Sequence, residues 1–384
     1  MSASDSFDFV HQMHAQRVVF GVGSARTRLA DEVQRLDGRR VLLVVAEGER
    51  ARAGELTRGL PVVGSVQRVR MHVPVEVAEA ARRQAGDLRA DLLLSIGGGS
   101  TVGTAKAVAL TSGLPVLAVP TTYAGSEATP VWGLTDAGRK TTGSDARVLP
   151  RTVVYDPELS LTLPLRLSVA SGLNALAHCI DSQWAPGANP INRALALEGV
   201  GALTEGLRLV RADPVDLTGR SRCLIGAHLA GLSFASAGSG LHHKICHVLG
   251  GTWDLPHAET HAVVLPHVVA FNAPYAPRAA TRIAHALGVE DPLAGLLDLA
   301  EELDAPRSLR DLGMPENALT EAAALVADAA PQDNPRPVNA ATAERLLRGA
   351  WAGHRALETT KARNRNSLGL ELFSAVTTSH RRHL

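Results

Sequence analysis

The pattern of apolar and polar residues changes near residue 156. Before that point, short runs of consecutive apolar residues alternate with stretches in which apolar residues recur at helical spacing. Continuous apolar runs are typical of parallel strands that are covered on both faces. Strands that alternate with helices form a sheet wrapped by helices. We therefore expect residues 1–156 to form an α/β domain.

The same pattern predicts the individual elements of this domain. Strands are predicted at residues 17–20, 41–45, 91–96, 115–119 and 152–155. Helices are predicted after residues 21–23, where Ser24 can act as an N-cap, at residues 76–88 and from Thr101 onward.

Beyond Asp156 and Pro157, long stretches rich in alanine and leucine replace the strands. They contain few β-branched residues, and their apolar residues recur at helical spacing. Residues 157–352 are therefore predicted to form an all-helical domain. Its helices are predicted at residues 168–182, 192–211, 220–235, 277–287, 292–303 and 316–329.

Residues 353–384 are predicted to be a basic C-terminal extension. From His354 onward, six Lys and Arg residues stand against two Glu residues. Such a segment can bind an acidic partner, but a loosely packed or frayed end is the favoured interpretation.

Composition limits the possible partners and compartment. The chain has 384 residues, a formal net charge of +1 and 20% charged residues, which gives no reason to expect nucleic acid or an anionic membrane as a partner. The three cysteines form no CxxC pair, which argues against a disulfide framework. No signal peptide or run long enough to cross a bilayer is visible. We therefore expect a cytoplasmic protein.

Two segments of the first domain are suited to bind a dinucleotide. Gly97, Gly98, Gly99 and Ser100 lie where a predicted strand passes into a helix, and a helix N-terminus with glycines accepts a diphosphate. The pattern is not GxGxxG, and a plain tight turn is the alternative. The segment from Pro120 to Thr129 follows the next strand; its hydroxyls, Thr121, Thr122 and Ser126, are suited to phosphate and ribose, or else cap a surface turn.

The helical domain contains polar pairs at four-residue spacing. His243 and His247 form one pair, and Asn174 and His178 form another, so each pair lies on one face of a helix. His257 follows a Gly-Gly pair and a proline, which predicts that it lies in the next loop or turn. Because burying polar groups is costly, this grouping predicts a shared cleft rather than isolated core histidines.

The order of these motifs resembles the iron-containing (group III) alcohol dehydrogenase superfamily. The resemblance spans about residues 10 to 352 and rests on the Gly-Gly-Gly-Ser motif at 97–100, Pro-Thr-Thr at 120–122, Asp-Pro at 156–157, the Asn174 to His178 segment and residues 240–257. It implies the dehydroquinate synthase-like fold, an NAD(P)H cofactor and a homodimer. It also implies that Lys140 lies near the cofactor ribose.

Within that superfamily, the residues of these motifs are most similar to those of the maleylacetate reductases. These enzymes reduce a C=C bond in aromatic-compound catabolism to give 3-oxoadipate. The metal-dependent relatives bind a divalent ion with one Asp and three His. In this chain the His positions are His178, His243 and His257, but the Asp position is Asn174, and a second family Asp is replaced by Gly103. The loss of the carboxylate weakens a site for Fe²⁺, although three imidazoles can still hold zinc. The resemblance implies catalysis without metal.

A dianionic substrate implies roles for the histidines. We expect His243 or His247 to be the general acid and His178 and His257 to hold the substrate, with Lys244 and His242 as possible carboxylate clamps. Substrate carboxylates near metal-free histidines should raise the pKa of those histidines. At the adenosine end, Glu47 favours NADH, whereas Arg50 and Arg52 allow NADPH, so NADH is expected with NADPH tolerated.

Three other functions fit parts of the pattern. The nearest alternative is a metal-dependent dehydrogenase of simple alcohols or aldehydes. A dehydroquinate synthase-like lyase would need a fuller metal site and a more basic phosphate pocket than the sequence offers. A non-enzymatic binding module does not account for the clustered histidines.

Overall fold

A computed structural model describes residues 8–66, 68–70, 73–136 and 139–353. Its first part contains six parallel strands in the order β1-β8-β5-β4-β2-β3. The strands of this sheet are β1 (Arg17–Phe20), β2 (Val41–Val45), β3 (Val62–Val66), β4 (Leu92–Gly97), β5 (Val116–Pro120) and β8 (Thr152–Tyr155). A separate antiparallel hairpin is formed by β6 (Val131–Asp136) and β7 (Arg139–Ser144).

Four helices connect these strands: α1 (Ser24–Arg35), α2 (Arg50–Leu56), α3 (Val75–Asp87) and α4 (Gly99–Ser112). Strands β2, β4 and β5 are buried along their whole length. Two apolar clusters, one on each face of the sheet, cover them. This burial on both faces explains why the strands read as continuous apolar runs.

The five strands predicted from the sequence are present, but β3 and the hairpin were missed. Strand β3 is only partly buried and contains Gly64 and Ser65, so it lacks the continuous apolar signal. The two strands of the hairpin carry many polar residues, so no continuous apolar run marks them in the sequence.

The remainder of the described chain, residues 157–353, forms helices and short helical turns. Its helices are α5 (Leu165–Asp181), α6 (Pro190–Ala212), α7 (Leu217–Ala237), α8 (Leu241–Trp253), α9 (His257–Asn272), α10 (Pro277–Leu287), α11 (Pro292–Glu302), α12 (Leu319–Ala329) and α13 (Ala340–Ala352). The fold class expected from the sequence, a parallel α/β part followed by a helical part, is confirmed.

The two parts share one hydrophobic core. Its buried members include Val153 and Tyr155 of strand β8, Leu176 of α5 and Leu224 of α7. The helical part therefore packs directly against the sheet. A second cluster, built around α8, α9, α12 and α13, supports the far side of the helices.

The turn between α8 and α9 corrects one prediction. His257 was expected in a loop, but it is the first residue of α9. The paired glycines before it, Gly250 and Gly251, lie inside α8 instead of ending it. The chain reverses at Asp254, whose φ of 51° is left-handed, and Pro256 then immediately precedes the helix.

No single helix in the described residues is long and apolar enough to cross a membrane, although α7 and α8, which meet at 98°, pass that test as a pair by length and composition. The three cysteines are buried and unpaired. The predicted basic extension lies outside the described residues, apart from Gly353.

Candidate active site

The glycine-rich turn at the end of β4 exposes the start of a long helix. Gly97 ends the strand with a φ of 148°, a conformation that favours glycine, and α4 begins at Gly99. No described side chain caps this helix. The first N–H groups of α4, including that of Ser100, are therefore available to an anion.

A second loop lies against this turn. Gly97 pairs with Pro120, and Thr121 N donates to the carbonyl of Gly97 over 3.2 Å. A Cβ atom on Gly98 would lie 2.9 Å from Cγ2 of Thr122, and one on Gly99 would lie 3.0 Å from Cβ of Ala124. Only glycines allow the two segments to approach so closely.

The structure thus brings Gly97, Gly98, Gly99, Ser100, Thr121, Thr122 and Ser126 together at the carboxyl edge of the sheet. Ser126 Oγ is buried and has no hydrogen-bond partner among the described residues. Such an atom is suited to a ligand. Lys140 lies on β7 opposite Thr135, and its side chain lies outside the described part of the chain.

Lys106 of α4 anchors this second loop, a role that the sequence analysis missed. Its fully buried Nζ donates to the carbonyls of Ser126, Thr129 and Val131 over 2.5, 2.7 and 2.8 Å. Burial lowers the pKa of Lys106 to about 7, and nearby Glu127 opposes the shift. The signal that could have revealed it was a lysine about two helical turns beyond the glycines.

The same loop packs on helix α7 of the helical part. A Cβ atom on Gly125 would lie 2.8 Å from the carbonyl of Ala227, and a Cβ atom on Gly231 would overlap the carbonyl of Gly125. One turn farther along α7, the ring of Phe234 lies 4.9 Å from that of His178 and 4.7 Å from that of His243. Helix α7 therefore links the glycine-rich turn to the histidines.

Helices α5, α8 and α9 bring the predicted histidines into one cluster. The ring of His243 lies 4.6 Å from that of His178 and 6.3 Å from that of His247. His257 joins the cluster through His261, whose ring is 4.5 Å from that of His257 and 5.0 Å from that of His243. His247 and His257 are exposed, whereas His243 is 1% exposed.

Asp181 contacts the imidazole of His243 at Nδ1. Its Oδ2 lies 2.7 Å from Nδ1 of His243 and accepts the N–H of Gly240 over 2.9 Å. An ionised Asp181 keeps the proton of His243 on Nδ1 and leaves Nε2 as an acceptor. The sequence analysis missed Asp181, although it lies three residues after His178 on the same helix.

His242, a possible carboxylate clamp in the sequence prediction, contacts another histidine in the structure, and its role as a clamp stays a prediction. It is fully buried, and its Nε2 lies 2.9 Å from Nδ1 of His261 and 3.7 Å from Sγ of Cys246. Lys244, two positions later, is half-buried, and its charge contributes to lowering the pKa of His243.

The pKa values of the clustered histidines differ from the expectation. Burial, reinforced by mutual repulsion of the imidazoles, lowers the pKa of His178, His242, His243 and His261 well below the ordinary value. Burial also raises the pKa of Asp181. The predicted rise was argued for histidines beside substrate carboxylates, whereas burial is the largest cause of the shift for these four side chains. The pKa values of these four histidines therefore make them neutral near pH 7.

The residues at the metal positions of the family do not form a compact ligand set here. Asn174 Oδ1, His178 Nδ1 and His243 Nε2 are buried and lack hydrogen-bond partners among the described residues. Among the described residues, a different group places three metal-ligand atoms within 4.8 Å of one another. This group consists of His242, Cys246 and His261. With an amide at Asn174 as well, these positions fit a hard divalent cation poorly.

A glycine-rich helix N-terminus beside a buried polar cluster is typical of dinucleotide-dependent oxidoreductases. Residues 15–157 match the family model "Iron-containing alcohol dehydrogenase", and residues 168–351 match "Fe-containing alcohol dehydrogenase family, C-terminal". The chain belongs to the iron-containing alcohol dehydrogenase family, and it is an oxidoreductase that uses NAD(P)H. This confirms the family predicted from the motifs.

Similar proteins give a finer comparison. A maleylacetate reductase of Sphingobium indicum is 49% identical over 90% of this chain and 98% of its own length. The crystal structure of an iron-containing alcohol dehydrogenase from Corynebacterium glutamicum superposes with a TM-score of 0.89 at 52% identity, covering 90% of this chain and 98% of that one. A maleylacetate reductase from Agrobacterium tumefaciens gives 0.87 at 41% identity, covering 90% and 99%.

Proposed function

We propose that this protein reduces the C=C bond of maleylacetate with NAD(P)H and a proton to give 3-oxoadipate. The observation that carries the proposal is the histidine cluster with the neutral Asn174 at its edge, in a chain 49% identical to a maleylacetate reductase. A site without a carboxylate at this position avoids like-charge repulsion with a dianionic substrate.

The cofactor is assigned to the glycine-rich turn and the adjoining loop. Gly98, Gly99 and Ser100 would hold the diphosphate at the start of α4, and Thr121, Thr122 and Ser126 would contact phosphate and ribose. Lys140 is assigned to the cofactor ribose. When bound, the nicotinamide supplies a hydride to the carbon β to the ketone.

The residues of the histidine cluster handle the charge and the proton. Addition of hydride turns the enone into an enolate, which must be stabilised at oxygen and protonated at the neighbouring carbon. His247 is the proposed general acid because it is exposed and can regain a proton from water in each turnover. His243 keeps its proton on Nδ1 against Asp181, so its neutral form cannot donate from Nε2. His178 and His257 hold the substrate, and Lys244 contributes positive charge.

We further propose that catalysis requires no metal ion. Support comes from the amide at Asn174 and from the spacing of the ligand atoms of His178, His243 and His257, which do not gather within 4.8 Å of one another. In this proposal the histidines stabilise the enolate oxygen, the task that a metal ion would perform as a Lewis acid. The metal-dependent alcohol dehydrogenase remains the alternative, and the lyase alternative has no support in the geometry.

NADH is the proposed cofactor, with NADPH tolerated. Arg52 is engaged, since it donates to the carbonyl of Leu159 and to Oγ1 of Thr162 over 2.9 and 2.8 Å. Arg50 pairs with Glu47 over 2.5 Å. The Glu47 carboxylate partly neutralises the charge that Arg50 would offer to a 2′-phosphate, and a carboxylate at this position suits the ribose hydroxyls of NADH.

Three further predictions from the sequence also stay as proposals. The chain divides near residue 156, after strand β8. It forms a homodimer, for which the edge strand β1, with exposed Val18 and Phe20, offers a pairing surface. It acts in the cytoplasm, which suits its unpaired cysteines.

NADH oxidation, followed at the nicotinamide absorbance band, tests the proposed function. Maleylacetate, simple aldehydes and simple ketones would be offered in parallel to protein purified without chelator. We expect oxidation with maleylacetate and formation of 3-oxoadipate. Turnover of aldehydes alone, together with tightly bound metal, would favour the alcohol dehydrogenase instead.

A further inference from the structure

His261 lies at the centre of the histidine cluster, although neither its position nor its role was predicted. It is fully buried on α9, one turn after His257. Its ring lies 4.5 Å from that of His257, 5.0 Å from that of His243 and 6.3 Å from that of His178. His261 therefore lies among three histidines of the candidate site, two of which are proposed to hold the substrate.

The two ring nitrogens of His261 have different environments. Nδ1 lies 2.9 Å from Nε2 of His242. Nε2, on the other side of the ring, is buried without a hydrogen-bond partner among the described residues. A buried polar atom of this kind requires an explanation, and a bound ligand supplies one.

The hydrogen bond between the two rings allows two proton arrangements. If His242 donates, His261 carries its proton on Nε2, and the remaining bare nitrogen is Nδ1 of His242. If His261 donates, its Nε2 is a bare acceptor, and an N–H of His242 is buried without an acceptor in the described structure. In the first arrangement the N–H without an acceptor is that of His261 Nε2, so each arrangement leaves one buried N–H unpaired in the described structure. An anionic ligand beside Nε2 of His261 accepts this N–H and thereby favours the first arrangement.

We propose that His261 is an additional substrate-binding residue, whose Nε2–H, fixed by the hydrogen bond from His242, donates to a carboxylate or enolate oxygen of the substrate. This inference rests on the proposed function. A neutral donor held in place before the reaction stabilises a developing negative charge without being protonated itself. His242, which does not reach the substrate in this scheme, is a positioning residue.

A metal ion is the competing occupant of this cluster, since His242, Cys246 and His261 place three ligand atoms within 4.8 Å. The distances favour the hydrogen bond. Two nitrogens bound to tetrahedral zinc at about 2.0 Å lie about 3.3 Å apart. The observed 2.9 Å between Nε2 of His242 and Nδ1 of His261 is the length of a hydrogen bond.

Two amide substitutions separate the two nitrogens of His261. His261→Asn retains a polar group near the position of Nδ1 but removes the donor at Nε2, whereas His261→Gln retains a donor near Nε2. We expect His261→Asn to lower kcat/KM for maleylacetate by about 10- to 100-fold, and His261→Gln to lower it by less than about fivefold. The Kd for NADH should stay unchanged in both variants.

A matched control and a second variant keep the test decisive. His267→Asn changes another buried histidine of α9 that lies beside Gly349, away from the cluster, and it should leave kcat/KM unchanged. If His261→Asn fails to fold, His242→Leu removes the positioning hydrogen bond and should lower kcat/KM by about tenfold.

Each remaining outcome overturns the inference. Equal loss in the Asn and Gln variants would show a structural role, and wild-type rates in both would show no role. Zinc present in one equivalent in the purified wild-type protein and absent from both variants would make the cluster a metal site. An active wild-type enzyme with any of these results rejects only this inference, whereas a wild-type protein that does not reduce maleylacetate rejects the proposed function as well.

Discussion

Oδ2 of Asp181 lies 2.7 Å from Nδ1 of His243, with both side chains buried. This contact orients the imidazole, and it leaves Nε2 as the nitrogen of His243 that does not contact Asp181.

Asp181→Asn should therefore impair catalysis more than cofactor binding. The amide can donate to Nδ1 of His243 and thereby move the proton of the imidazole to Nε2. We expect kcat for maleylacetate to fall by about 10²- to 10⁴-fold, with the Kd for NADH unchanged. Steady-state kinetics and NADH fluorescence titration provide the two measurements. Asp298→Asn, at an exposed position on α11, is the control; loss of NADH binding in Asp181→Asn would indicate a general structural defect instead.

Asn174→Asp should increase metal affinity and reduce turnover of the dianion. The substitution adds a carboxylate beside His178 and also repels the substrate carboxylates. Wild-type activity should survive prolonged treatment with EDTA and should not rise on addition of Fe²⁺ or Zn²⁺. Metal analysis and kinetics of both proteins check this. Activity that is abolished by the chelator and restored by metal would show that the histidines are ligands.

His247→Ala should lower kcat by about 10²- to 10⁴-fold, the effect of losing a general acid. His243→Ala should cost a similar factor, because it removes the ring held by Asp181. The two variants should differ with added imidazole, which can reach the exposed position 247 but not the buried position 243. Rescue of His243→Ala alone would reverse the proposed roles.

Gly99→Val should weaken NADH binding by more than about tenfold, because its branched side chain would lie where the backbone meets the diphosphate. The substitution also crowds Ala124, since even a Cβ atom would lie 3.0 Å away. Gly86→Val, on an exposed part of α3 with no atom within 4 Å, is the matched control. Calorimetric titration with NADH measures the difference, and unchanged affinity in Gly99→Val would contradict the cofactor assignment.

The free energy of unfolding should fall as the pH is lowered below 6.5. Burial lowers the pKa of His228 from 6.5 to about 4, so between these values the unfolded chain binds the proton and the folded chain does not. Each such histidine contributes a slope of about 1.4 kcal/mol per pH unit. His228→Gln should remove one such contribution. Urea unfolding at several pH values measures the slopes; equal slopes in wild type and His228→Gln would contradict this assignment.

The sequence by itself determined the fold class and the segments that form the candidate site. Buried parallel strands such as β4 read as continuous apolar runs because both faces are covered, and the four-residue spacing of Asn174 and His178 is a local property of a helix. The turn at Gly97, Gly98 and Gly99 could also be located from the sequence. Glycine is required there because the strand passes into a helix beside a second loop, which leaves no room for side chains.

Only the tertiary structure decided how the side chains of the candidate site are arranged. Asp181, His243 and His261 come from three different helices, so their hydrogen bonds depend on packing that no local pattern encodes. The same packing excludes water from these side chains. This burial lowers the pKa values of His243 and His261, whereas the sequence had suggested raised values. Spacing along one helix identifies the faces that carry polar residues, but the distances between helices determine which nitrogen carries a proton.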